Sequence, residues 1–423
     1  MSRWPRKPFG PIDRCQVCDG ARLSSVLPLG FLPPVNRMTP IGRSFDQEPW
    51  FPAEMLYCAD CHLVQLGFAV EPHLLFPLEY PYTSGTTRIL RDNFADLYRE
   101  SSARIGLRPE DLVVDVGSND GTLLSNFKDG GHRVYGIEPS LTAELALARG
   151  ISTLMTFFDR AAVDKVTAEQ GQAKLVTACN VFAHIHNIHH TLEDVEALLR
   201  PDGVFITESH YLRDLVETLQ YDTIYHEHLR FYSLTSLRAL LERHGFRVFF
   251  ARRIPTHGGS IRVYASKSTA YAVDASVERI LGEETAAGLA GPGWIDGFRE
   301  RVRRSKLELY ALIEPLKRAG ARIYGIGAPS RASTLITYVG LDELVLDCVM
   351  EVTGSKKLDK YVPGKKIPVL DEAKLYADQP EYALLLSWHI GDELARNLKR
   401  RGFRGDFIVP LPEPRVLRNA DVA

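Results

Sequence analysis

The sequence predicts an α/β protein in three units: a small N-terminal zinc-binding domain, a central Rossmann-like methyltransferase sheet and a C-terminal α/β domain. Three observations predict it. Two Cys-x-x-Cys pairs, Cys15/Cys18 and Cys58/Cys61, lie within the first 75 residues. A glycine-bearing turn, GSNDG at 117–121, closes the short apolar run VVDV. Strand-like runs then alternate with helical ones, twice over, and such alternation pairs strands in parallel with helices on the sheet faces.

The first unit, 1–75, is rich in Pro and Cys. The 39 residues between Cys18 and Cys58 leave room for an inserted hairpin or loop. PLGFLPPVNRM is excluded from a central strand because proline lacks the ladder N–H. A helical pattern follows over about 87–106. In the second unit, 76–255, LVVDVG, HRVYGIEPS, KLVTACNVF and GVFITESH read as strands, with LTAELALARG and TLEDVEALLR as helices between them. FRVFFARRIP and GSIRVYAS read as the closing strands. The third unit, 256–423, opens with helices and resumes the alternation at ARIYGIG, LVLDCVMEV, YALLLSWHI and DFIVPLPEP.

Composition narrows the function. With 51 basic and 53 acidic residues, net charge −2, the 423-residue chain has no basic excess to support a nucleic-acid partner. The basic run 399–404 reads as a solvated helix face. The opening MSRWPRKPFGP has no apolar h-region, and no stretch approaches the roughly 20 apolar residues of a membrane span. A cytoplasmic protein with no membrane partner, monomeric or weakly dimeric, is expected.

The paired cysteines point to zinc. Four thiolates, Cys15, Cys18, Cys58 and Cys61, would hold Zn²⁺ tetrahedrally with no open position, so the site is structural. His62 reads as a spectator, and Cys179 and Cys348 stand alone in apolar runs. The turn Asp115-x-Gly117-x-Asn119-Asp120-Gly121 follows a strand and opens a helix, and glycines let backbone approach a ligand closely. Glu138 ends the next strand, where a carboxylate can accept both ribose hydroxyls of an adenosine. The spacing is not that of a dinucleotide fingerprint; it is closer to a loop for S-adenosylmethionine (SAM).

The segment Tyr225-His226-Glu227-His228 is the densest titratable run, and four such side chains make poor core material. Imidazole suits removal of a carbon-bound proton beside a carbonyl, and a phenol can hydrogen-bond the enolate. The spacing of His184, His186, His189 and His190 fits no common metal-ligand pattern. Gly325-Ile-Gly327-Ala-Pro-Ser330-Arg331 resembles a phosphate-binding turn, with Ser330 and Arg331 available to an anion.

Taken in order, the motifs resemble those of the SAM-dependent C-methyltransferases that methylate C3 of nucleotide-linked 4-keto deoxysugars. The resemblance runs through the cysteine pairs, LFPLEYPYTSGTT, GSNDGTLL, GIEPS, ACNVFAHI, YDTIYHEHLRFYS, HGGSIRVY, YGIGAPSRASTL, TGSKKLDKYVPGKKIPV and IVPLPEP. It implies His228 as the base at C3, with Tyr225, Glu227 and Tyr80 around the sugar carbonyl. Gly117, Asn119, Asp120 and Glu138 would contact SAM. Asn180, His184, His226, His257 and Ser260 would line the nucleotide-sugar site with Ser330 and Arg331. Two positions depart from the family pattern: GAPSRAS lacks the lysine and second glycine of a GAPAKG-type turn, and His389 in SWHI stands where asparagine is expected. The residues also leave open an epimerase that retains SAM, a methyltransferase for another carbon acid, or a non-catalytic binding protein.

Overall fold

The computed structural model describes Trp4, residues 6–45 and residues 48–422. In the first unit a four-stranded antiparallel sheet is built from Leu23–Leu32, Phe51–Cys58, Val64–Leu66 and Arg230–Phe231. Leu23–Leu32 and Phe51–Cys58 form the hairpin between the cysteine pairs. Pro28 sits on the edge strand, where the register shifts between Pro28 and Gly30, which is where a residue without an N–H is tolerated. The fourth strand comes from far along the chain: Arg230 and Phe231 pair with Gln65 and Val64.

The central sheet has seven strands in the order Arg247–Ile254, Ser260–Ser266, Leu199–His210, Ala173–Cys179, Leu112–Val116, Arg133–Ile137, Thr153–Leu154. The last five are parallel; the first two add antiparallel at one edge. Ser260–Ser266 lies between two strands of this sheet, so the sheet runs past the division expected at 255/256. Its alternate residues Ile261, Val263 and Ala265 belong to the same core as Val114, Val176 and Phe205. Helix Arg88–Ile105 presents Leu90, Phe94, Leu97, Ser101 and Ile105 inward at three- and four-residue steps. It ends where Gly106 takes a left-handed conformation, φ 68°.

The C-terminal sheet also has seven strands, with Pro368–Asp371, Cys348–Glu351, Ile323–Ile326, Tyr382–Leu385 and Asp406–Val409 parallel at its centre. One apolar core joins this unit to the first. It takes Val26, Met55 and Tyr57 from the hairpin, Tyr221 and Ile224 from the segment before YHEH, Phe298 and Val302 from helix Ile295–Arg318, and Leu335 and Leu384 from the third unit. The YHEH segment is therefore gripped from both sides. Among the described residues no helix is long and apolar enough to cross a membrane.

Candidate active site

The four cysteine sulfurs lie within 4.8 Å of one another, with Cys15–Cys61 and Cys18–Cys58 each at 3.5 Å. Tetrahedral zinc with Zn–S near 2.3 Å requires sulfurs about 3.8 Å apart, so the set fits the ion. Backbone N–H groups of Val17, Gly20 and Asp60 point at the sulfurs from 3.4 Å, which favours thiolates. The His62 ring pairs with the Tyr57 hydroxyl at 2.5 Å and is no part of the cluster.

The cofactor turn follows Leu112–Val116 and opens helix Thr122–Asp129. Gly117, Asn119 and Gly121 all have positive φ. A β-carbon on Gly117 would stand 2.9 Å from Val181, and one on Gly121 2.8 Å from Ile151, so only glycine fits this turn against its neighbours. Glu138 accepts from the Asn119 N–H at 3.0 Å and from Ser140, which sets its carboxylate directly against the turn. These residues fit an adenosine-bearing cofactor. Asp115 lies deeper: it accepts from Thr177 Oγ1 at 2.6 Å, and burial pushes its carboxyl up to about 7, so it braces the strand beneath the turn. Asn119 and Asp120 hold the stretch 82–85 on the turn, through Ser84 N–H to Asn119 Oδ1 at 2.8 Å and Gly85 N–H to Asp120 Oδ2 at 3.0 Å.

His228 is buried in a group of rings. Tyr225 lies 4.1 Å away between centroids, His210 4.7 Å and His184 5.0 Å; His257 lies 5.7 Å from His210. Its Nδ1 is 2.7 Å from the Thr223 carbonyl. A carbonyl only accepts, so Nδ1 carries the proton and Nε2 keeps its lone pair. Burial lowers the pKa of His228 to about 4 and of His257 to about 4, and holds His184 and His210 well below the ordinary range. The cluster is neutral at physiological pH.

Glu227 forms a second focus. Asn36 Nδ2 donates to Oε1 at 2.7 Å and the Tyr80 hydroxyl to Oε2 at 3.0 Å, while Ser330 Oγ donates to Asn36 Oδ1 at 2.9 Å. Burial raises its carboxyl to about 7. Lys357, whose ammonium donates to the Ala328 carbonyl at 2.6 Å, faces the same carboxylate, and burial lowers its pKa. All three units meet here.

Of the remaining expected residues, Asn180 ends strand Ala173–Cys179 with φ 57°. His226 turns away from His228: its Nε2 bonds the Pro52 carbonyl at 3.0 Å and its ring meets Phe51 edge-on, so it anchors the segment to the first unit's sheet. Ser260 is fully buried and donates to the Thr256 carbonyl. Arg331 is not an open anion contact, because its guanidinium is paired with buried Asp222. Asn36, His210, Lys357 and Asp222 escaped the sequence reading. Lys357 lies within the motif TGSKKLDKYVPGKKIPV and Asp222 within YDTIYHEHLRFYS; Asn36 and His210 carry no local signal.

Comparison with known proteins agrees with this layout. A zinc binding domain family matches residues 15–76, a methyltransferase domain family residues 87–249, and the C-methyltransferase C-terminal domain family residues 255–412. C-methyltransferase NovU of Streptomyces niveus is 35% identical over 410 residues, covering 96% of this chain and 97% of its own. Among solved structures, magnesium protoporphyrin IX methyltransferase (ChlM) of Synechocystis PCC 6803 with bound SAM is 17% identical, covers 42% of this chain and 79% of its own, and has a TM-score of 0.33. The PH0226 protein of Pyrococcus horikoshii OT3 is 16% identical, with 47% and 99% covered and a TM-score of 0.35. The class is that of SAM-dependent methyltransferases acting on carbon. Within it, the chain belongs to the C-methyltransferase family, with the zinc binding domain and the C-terminal domain on either side of the methyltransferase domain.

Proposed function

We propose that the enzyme methylates C3 of a nucleotide-linked 4-keto deoxysugar, with His228 as the base. The observation that carries this reading is the Nδ1 bond to Thr223, which leaves Nε2 of a neutral, buried imidazole free to take a proton. The hydrogen beside a ketone is acidic enough for such a base when the resulting enolate is hydrogen-bonded. Tyr225, against the His228 ring, supplies a hydroxyl for that purpose. Glu227, held by Tyr80 and Asn36, orients the hydroxyls around the carbonyl region, and burial keeps water from competing. Bound SAM supplies an electrophilic methyl group. Gly117, Asn119, Asp120, Gly121 and Glu138 would hold it, and His184, Asn180 and His257 would line the sugar side.

The test is incubation with SAM and a panel of thymidine-, GDP- and CDP-linked 4-keto deoxysugars, read by mass spectrometry. One product heavier by a single methyl is expected. His228→Asn abolishes both methylation and exchange of the C3 hydrogen with deuterated solvent, with SAM binding intact. Deuterium exchange without methyl gain for every sugar in the panel would reassign the enzyme to epimerisation.

A further inference from the structure

Arg331, at the start of helix Ser330–Val339, is committed inside the protein. Its Nε donates to Asp222 Oδ2 at 2.7 Å and its Nη2 to Asp222 Oδ1 at 2.7 Å. Nη2 also reaches Gln220 Oε1 at 3.3 Å, and Nη1 lies 3.3 Å from His389 Nδ1. Four of the five guanidinium N–H groups are thus occupied by protein, and an anionic ligand would have to break a bidentate pair to use them. Asp222 is fully buried, and its other donor is the Trp388 indole at 2.7 Å. The guanidinium lies over that same indole, 4.9 Å from the ring centroid.

These contacts end on one short element. Asp222 is the middle residue of the 3-10 turn Tyr221–Thr223, and Thr223 offers the carbonyl that receives His228 Nδ1–H. Every charged or indole donor to the Asp222 carboxylate comes from the C-terminal unit. Gln220 extends the frame: it takes the Arg331 N–H and donates to the Gly258 carbonyl at 2.6 Å, in the turn that carries His257. In water a neutral imidazole populates both tautomers, and the partner of one nitrogen decides which persists. We propose that Arg331 and Asp222 are a positioning pair that, by fixing the turn 221–223, selects the tautomer of His228 that leaves Nε2 basic. This rests on the reading of His228 as the base. The two departures from the family pattern, Arg331 and His389, then belong to one buried network and not to separate substrate contacts.

The test uses the full chain with its zinc, in three forms: wild type, Arg331→Lys, and the double variant Asp222→Asn/Arg331→Met. The double variant removes both charges together and leaves no lone carboxylate in the core. Folding is checked by thermal melting and by SAM affinity, both expected to stay close to wild type. Nitrogen-15 spectra of histidine-labelled protein at pH 7.5 report the tautomer without any substrate, with the His228 signals assigned by their loss in His228→Asn. His184, His210, Tyr225, His257 and Arg331 face this ring. Wild type should show the Nδ1–H form alone, and both variants a mixture. With the sugar turned over in the panel above, kcat should fall about tenfold to a hundredfold while KM changes less than about threefold. A single tautomer retained in both variants overturns the proposal, as does a raised KM at unchanged kcat, which would make Arg331 a substrate contact. Full activity in His228→Asn would remove the base reading instead, and the tautomer spectra would still decide on the pair.

Discussion

The Tyr80 hydroxyl donates to Glu227 at 3.0 Å, and the same stretch of chain, five residues on, donates from Gly85 to Asp120 in the cofactor turn. One short segment therefore touches both Glu227 and the glycine turn at 117–121. Tyr80→Phe keeps the ring and removes the bond to Glu227. We expect kcat to drop about tenfold, with SAM affinity within about twofold of wild type. Steady-state kinetics and calorimetry check this; a matching loss of SAM affinity would place Tyr80 in cofactor binding.

Glu227 is expected to set a pH limb. Its carboxyl titrates near 7 because burial disfavours the charged form, and both oxygens accept hydrogen bonds that the ionised form satisfies best. The kcat/KM profile should rise with pH through about 7 as Glu227 ionises. Glu227→Gln should lower activity and abolish that limb, leaving only the lower one where His228, near 4, gains its proton. A profile of the variant that still bends near 7 would assign the limb elsewhere.

The histidine cluster makes the fold sensitive to acid. His228 and His257 have folded pKa values near 4 against about 6.5 unfolded. Between those values the unfolded chain binds more protons than the native one, so stability rises with pH there and is lost as pH falls from about 6.5 toward 4. Each of the two contributes on the order of 3 kcal/mol to that loss. Urea denaturation at pH 7.5, 6 and 5 should show falling midpoints, and His257→Gln should flatten the trend.

Zinc removal should disable a reaction in which the ion takes no part. Strand Arg230–Phe231 completes the zinc-bearing sheet immediately after His228, and Leu229 accepts from Leu66 N–H at 2.9 Å. A chelator, or Cys58→Ser, should lower the melting temperature and abolish methyl transfer together, since metal affinity is folding free energy in such units. Metal analysis should return one zinc per chain. Activity that survives complete zinc loss would uncouple the two.

Much of this architecture was written in local pattern. Six strands of the central sheet and four of the C-terminal sheet announce themselves as short apolar runs ending at glycine or a polar turn, and the cysteine spacing needs only four residues. Thr153–Leu154, Lys360–Tyr361, Pro368–Asp371 and Arg415–Leu417 are short and do not. What escaped depends on distance. Arg230–Phe231 is two residues long and has no strand signature; its pairing is dictated by a sheet some 165 residues earlier. Arg331 reads as an anion contact until Asp222 is seen opposite it. His226 and His228, two positions apart on an irregular segment, look alike in the sequence. Only tertiary packing sends one ring to Pro52 and the other to Thr223.

The bond from Ser330 to Asn36 spans 294 residues. A ribosome adding about 5–20 residues per second makes the second partner roughly 15–60 s after the first. Throughout that interval the nascent polypeptide carries Glu227's earlier companions without the wall that closes over them. Closure of the shell around Glu227 thus waits until the C-terminal unit has been made and docks.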